Sequence, residues 1–178
     1  GFYLACGIAG MVAGFPVQQG FTNIGVVGID DLSLSNYYFT REELNLMAGA
    51  GTCLFVQDTQ GGMPYCRHEL TTDMTVLEYR EILKVKNWDY LSYFYHDILN
   101  PFIGQWNIVE DTLRVIRQTV ISASENLKTQ KLPRIGAPLV SYEIAQLAQD
   151  TTMKDKIQLK MNIAIVDPNN YTDVHLVI

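Results

Sequence analysis

The sequence predicts an α+β fold in which helices pack on a small mixed β-sheet. Three observations predict it. Ile157, Leu159, Met161, Ile163 and Ile165 alternate with Gln158, Lys160, Asn162 and Ala164, the two-residue period of a half-buried strand. Leu91, Phe94, Tyr95 and Ile98 recur at the three- and four-residue spacing of a helix face, and Leu113, Ile116, Val120, Ala123 and Leu127 do the same further on. The order of these elements places helices on one small sheet.

From the start of the chain, residues 2–13 read as a helix whose Ala and Gly positions permit close packing, so a buried helix is expected. Gly14, Pro16 and Gly20 end it. Its apolar run, from Phe2 to Phe15, is shorter than the roughly 20 residues a membrane span needs. Asn23 to Ile29 is a short β-like run bounded by Asp30 and Asp31. Thr40-Arg41-Glu42-Glu43 has the pattern of a capping box, in which hydroxyl and carboxylate each accept from the other residue's backbone N–H. Leu44, Met47 and Ala48 give that helix its buried stripe, and Gly49 and Gly51 stop it. Thr52–Gln57 and Tyr65–Leu70 read as a hairpin around the turn Gln60-Gly61-Gly62.

Ile82–Val85 suits strand or helix. Trp88–Leu99 is an aromatic helix closed by Pro101 and Gly104. Asn107 and Glu110 form a second capping signature, which opens a helix over 109–127 that buries Leu113, Ile116 and Val120. Lys131-Leu132-Pro133 breaks it. Ser141 is expected to cap a shorter helix through Gln149. After the strand at 157–166, Asp167-Pro168-Asn169-Asn170 reads as a turn, and Val174, Leu176 and Ile178 alternate again.

The chain has 178 residues, 48% of them apolar, enough for one domain with a sizeable core. Only 18% are charged, against roughly 25% in ordinary soluble domains. So poorly solvated a surface is expected to be covered by neighbours in an assembly. The net charge of −6 argues against direct nucleic-acid binding. Residues 1–80 hold three basic and eight acidic groups. The basic patch is 112–134, where Arg114, Arg117, Lys128, Lys131 and Arg134 face Glu125 alone. The three cysteines, Cys6, Cys53 and Cys66, are odd in number and form no CxxC pair, which suits a reducing compartment. A first residue of Gly and an uncharged stretch over 2–29 read as the interior of a longer polypeptide.

Catalytic patterns are weak. The sequence contains no GxxxxGK[ST] loop, no HExxH and no GxSxG elbow, and Gly49-Ala50-Gly51 leads into a strand rather than a helix. The best enzyme candidate is Cys66 with His68 and Asp73, because positions 66 and 68 of a strand share a face and could pair a thiol with an imidazole. That makes a small cytosolic enzyme the alternative to a structural subunit. Cys53, Cys66 and His68 offer three of the four ligands a zinc site needs, so neither a metal nor another cofactor is expected. His96 reads as a helix-surface residue and His175 as an outward-facing strand position. Trp88, Tyr90, Tyr93, Phe94 and Tyr95 lie at helical spacing, which favours core and subunit interface over a stacking platform.

Several segments, in order, carry a resemblance. They are Asn23, Ser35-Asn36-Tyr37-Tyr38-Phe39-Thr40, Gly51 leading to Gln57-Asp58-Thr59-Gln60-Gly61-Gly62, Arg67-His68-Glu69-Leu70-Thr71-Thr72-Asp73, Ser92-Tyr93-Phe94, Asn100-Pro101-Phe102-Ile103-Gly104, Arg134-Ile135-Gly136 and the ending Val174-His175-Leu176-Val177-Ile178. Over nearly its whole length the chain resembles the C-terminal, tube-facing domain of contractile phage tail sheath proteins, a pattern shared with R-type bacteriocins and related contractile injection systems. The long N-terminal part of such proteins, with its β-forming arm and outer domains, has no counterpart here. The resemblance therefore implies a single sheath domain over 1–178 within a longer chain.

It also implies a mechanical, non-enzymatic role. Sheath subunits polymerise as rings and a helical lattice around a tail tube, with baseplate and tail terminator at the ends, and contract to drive the tube through the host envelope. The implied location is the phage tail of the virion, after assembly in the host cytoplasm, with no membrane insertion. Residues 167–178 are then a linker and exchange strand, in which Val174, His175, Leu176, Val177 and Ile178 complete the sheet of another subunit. Physics favours the same role. A short apolar strand after a Pro-Asn-Asn turn can leave its domain and cover an open sheet edge elsewhere, joined by backbone hydrogen bonds. Arg114, Arg117, Lys128, Lys131 and Arg134 are the candidates for weak, salt-screened contact with the tube.

Overall fold

The computed structural model describes residues 2–29, 32, 39–59 and 61–170. They fall into two compact units. One runs to Val85 and resumes at Asp167; the other spans Lys86–Val166.

The first unit opens with α1 (Phe2–Gly14), an apolar helix as the sequence suggests. The expected burial is not found, since no residue of α1 is buried and Phe2 and Tyr3 are 77% and 83% exposed. Only one face of α1 is partly covered, where a Cβ at Gly7 would lie 3.4 Å from Val26 Cγ1. Helix α2 (Arg41–Gly49) begins at the expected capping box: Glu43 N–H donates to Thr40 Oγ1 at 3.3 Å and Thr40 N–H to Glu43 Oε2 at 2.7 Å. Leu44, Met47 and Ala48 form its less exposed stripe, though none is fully buried. Gly51 turns the chain away with φ +80°, a conformation that suits glycine.

Strands β1 (Leu54–Val56) and β2 (Tyr65–His68) make the expected antiparallel hairpin, with Phe55 opposite Cys66 and Val56 opposite Tyr65. The run from Asn23 is not a strand. Asn23 has φ 61°, which breaks the extended conformation, and this segment meets β2 through isolated bridges, Thr22 to Cys66 and Gly25 to Tyr65. Phe21, Val26, Cys66, Leu70 and Leu83 are buried here.

Helix α3 (Ile82–Leu99) settles the ambiguous stretch Ile82–Val85 as helix. In the second unit it is followed by a 3₁₀ turn at Asn100–Phe102 and by α4 (Glu110–Thr129). The Asn107–Glu110 capping box does not form. The cap is Val109, without a side-chain bond, and the Asn107 carbonyl instead accepts from Thr112 Oγ1 at 2.7 Å. The buried stripe of α4 is Thr112, Ile116, Val120, Ser124 and Leu127. Leu113, expected to be buried, is only half-buried. Two hydroxyls take interior positions because each finds a backbone carbonyl: Thr112 that of Asn107, and Ser124 that of Val120 at 2.7 Å.

Ser141–Gln149 is strand β3, not a helix. It pairs antiparallel with β4 (Ile157–Ala164), which forms as expected. Glu, Ala, Gln and Leu lean towards helix by propensity, but the partner strand and the core override that bias. Tyr142 lies opposite Ile163 and Ile144 opposite Met161, after which the register shifts between Ile144 and Gln146. Leu91, Leu127 and Leu139 form the centre of this core, and Tyr90, Phe94, Tyr95, Tyr142, Ile163 and Ile165 pack on it.

The fold class is therefore α+β, with its strands in two separate antiparallel pairs, β1–β2 and β3–β4. Asp167–Asn170 is not a turn but an irregular stretch. It is tied down by Lys84 Nζ to Asp167 Oδ1 at 2.8 Å and by Asn170 Nδ2 to Glu81 Oε1 at 2.5 Å. Residues 171–178, with the expected exchange strand, lie outside the described residues.

Candidate assembly interface

Two places in the chain carry the chemistry that the sequence singles out, the β1–β2 hairpin and helix α4. The hairpin brings Cys53 and Cys66 together, with Sγ atoms 3.9 Å apart. Cys66 is fully buried. The hydrogen bond to Cys53 and then burial push its thiol well above the usual range, so Cys66 keeps its proton. His68 Nε2 lies 3.3 Å from Glu81 Oε1. Asp73 accepts from the backbone N–H of Thr75 at 3.0 Å and from its hydroxyl at 2.5 Å. Those bonds hold its carboxyl below the ordinary Asp range and fix it in a local turn. Cys66 is thus a buried, protonated thiol, His68 contacts Glu81, and Asp73 is bonded into its own loop. No three His, Cys, Asp or Glu side chains cluster as a metal site among the described residues.

Arg114, Arg117 and Lys128 fall on one side of α4, because offsets of 3 and 14 residues return to nearly the same face of a 3.6-residue helix. The patch is less bare than its composition suggests. Arg114 Nη2 pairs with Asp111, a carboxylate just outside the basic stretch. Lys128 Nζ reaches Glu125 Oε1 at 3.0 Å and lies 5.5 Å from the centre of the Tyr142 ring. Hydrogen bonds from Lys128 and Tyr142 hold the Glu125 carboxyl below its ordinary value. Arg117, Lys131 and Arg134 are exposed, the last two beyond the helix end.

Apolar surface is the feature that composition foreshadowed without locating. In the first unit it is α1. In the second, Ile103 and Trp106 are 66% and 50% exposed, beside a groove of about 440 Å³ that Phe102, Ile116, Ile157 and Leu159 also line. Tyr93 on α3 is 78% exposed. Scattered apolar residues are normal on a surface, but whole apolar faces mark contact with other chains. No described helix is long and apolar enough to cross a membrane.

No protein-family model matches the chain, and no curated protein matches its sequence. Solved structures do share its fold. A chain of the anti-feeding prophage (AFP) baseplate, seen by cryo-EM with 6-fold symmetry imposed, aligns with TM-score 0.72 at 16% identity, over 96% of this chain and 48% of its own. A chain of the AFP helical sheath in the contracted state aligns with TM-score 0.63 at 14% identity, over 90% of this chain and 45% of its own. The chain thus spans about half the length of the chains it matches. The resemblance read from ordered motifs meets, at the level of fold, two components of a contractile injection system.

Proposed function

We propose that this chain is the inner, tube-facing part of a contractile sheath subunit. It polymerises around a tail tube between baseplate and terminator, and its contraction drives the tube through a target envelope. The observation that carries this reading is the shared fold with a helical sheath chain and a baseplate chain, which takes in nearly all of this chain and about half of each of those. The exposed apolar faces of α1 and of the Ile103–Trp106 groove support it, since a subunit with several neighbours needs such faces covered. The role is structural rather than catalytic, and the buried, protonated Cys66 supports that reading too. In this proposal residues 167–178 are the linker and exchange strand, and the particle is a phage tail or a related device assembled in the host cytoplasm.

Electron microscopy of the full-length protein, expressed with and without its tube protein, tests the proposal. Helical tubes of stacked rings are expected. Deleting 172–178 is expected to leave helix content nearly unchanged and to abolish those tubes. Normal contractile sheaths from the truncated protein overturn the exchange role, and particles with no helical order overturn the sheath role.

A further inference from the structure

In the first unit a cavity of about 340 Å³ opens between α2, β1, β2 and the segment leading to Arg80. Two guanidinium groups line it, those of Arg67 and Arg80, together with the ring of His68. Arg67 Nη2 donates to Asn45 Oδ1 at 2.5 Å, and Arg80 Nη2 reaches the Met74 carbonyl at 3.5 Å. Arg67 Nη1 and Arg80 Nε are buried and have no acceptor among the described residues. A buried guanidinium N–H without a partner is costly, and a carboxylate is the partner whose geometry it matches best. No described residue lining the cavity is acidic, although residues 1–80 hold eight acidic groups and only three basic ones. Two of those three basic residues line this one cavity.

We infer that the Arg67–Arg80 cavity is a carboxylate site, filled by an Asp or Glu side chain from a second copy of the chain. This inference rests on the polymeric reading above. An acidic chain that packs against copies of itself needs fixed cationic sockets for some of its carboxylates, and two guanidinium groups line this cavity. The same chemistry also fits a small free carboxylate, and the experiment separates the two sources.

The full chain and its Arg67→Gln, Arg80→Gln and double variants are compared in two measurements, with circular dichroism as the check on folding. The first is thermal stability with added sodium glutarate, against sodium chloride of equal ionic strength. The second is self-association by sedimentation. The expected result is a glutarate-specific rise in melting temperature that the double variant loses, together with self-association weakened about tenfold or more and inhibited by glutarate in the unsubstituted chain only. A glutarate response lost in the variants with self-association unchanged assigns the site to a free carboxylate and overturns the second-copy source. If the unsubstituted chain never self-associates but keeps the glutarate response, the sheath reading fails and the carboxylate site survives. Neither response differing between the chain and the double variant overturns the site itself.

Discussion

Tyr95 Oη and Ser124 Oγ lie 2.7 Å apart and join α3 to α4, while Ser124 Oγ is also 2.7 Å from the Val120 carbonyl. A serine hydroxyl has one proton. If it goes to Val120, Tyr95 is the donor in the first bond. Burial raises the Tyr95 pKa, which keeps it a donor across the physiological range. The two ends are therefore unequal. Ser124→Ala removes the acceptor of a half-buried phenol and is expected to cost about 1–3 kcal/mol, whereas Tyr95→Phe leaves Ser124 donating and costs about 1 kcal/mol. Urea denaturation of both variants checks the order; a larger loss for Tyr95→Phe contradicts the donor assignment.

Gly51 is expected to resist substitution. Its φ of +80° disfavours a side chain, and an added Cβ would sit 2.8 Å from the Thr71 carbonyl oxygen and 3.0 Å from Met74 Cγ. Strain and contact together predict that Gly51→Ala destabilises by about 1–3 kcal/mol. Gly61, at φ +75° with open space around its Cβ position, has only the strain and should lose less. Thermal denaturation of the pair separates the two contributions.

Thiol labelling should follow burial and protonation. Cys6 is exposed, Cys53 intermediate and Cys66 buried, with its thiol pushed up by Cys53 and by burial. Iodoacetamide at neutral pH is expected to modify the exposed Cys6 and the half-buried Cys53, whose thiol the hydrogen bond from Cys66 lowers, well before Cys66, which reacts only in denaturant. Mass spectrometry of digests reads the order, and rapid labelling of Cys66 in the folded chain would revive a nucleophilic role.

The β3–β4 connection should weaken in acid. Asp150 accepts from the backbone N–H of Met153 at 3.1 Å and of Thr152 at 2.8 Å, and these bonds lower its pKa. A depressed carboxyl stabilises the fold above its unfolded value, and that contribution fades as pH falls through the folded one. Amide exchange at Thr152 and Met153, corrected for the intrinsic pH dependence, is expected to lose protection as pH drops below the ordinary Asp range. Asp150→Ala should lack that pH response.

Charge reversal at the end of α4 and just beyond it tests the tube-contact proposal. Lys128→Glu with Lys131→Glu is expected to weaken co-assembly with tube protein, more at low salt than at high, and to leave tube-free polymerisation intact. The Lys128–Glu125 pair is solvent-screened, so losing it costs the helix little. Pelleting of sheath with tube over a salt series gives the answer; unchanged co-pelleting removes the patch from the tube interface.

What the sequence made legible follows from the range of each signal. The capping box at Thr40 and Glu43 is a four-residue device whose partners are all local, so it could be read directly. Strand β4 was legible because its alternation is unbroken from Ile157 to Ile165. Strand β3 was not, because Tyr142 and Ile144 are two apart while Ile144, Leu147 and Ala148 fall at helical spacing. Burial of α1 was misjudged, since an all-apolar helix gives the same pattern whether its cover is its own chain or another. The Arg67–Arg80 cavity had no sequence signature, because residues 13 apart come together only through the fold.

The extra residue in β3, Ala145, sets a phase. Before it the even-numbered Tyr142 and Ile144 lie opposite Ile163 and Met161; after it the odd-numbered Leu147 lies opposite Leu159. The strand thus tolerates changes of letter at Ala145 far better than changes of count. Ala145→Ser alters one exposed side chain. Deleting Ala145 makes each half of the strand correct only for its own side of the gap, so either Tyr142 and Ile144 or Leu147 must turn outward. Among diverging copies of such a chain, point changes are expected to accumulate at this position while its length stays fixed.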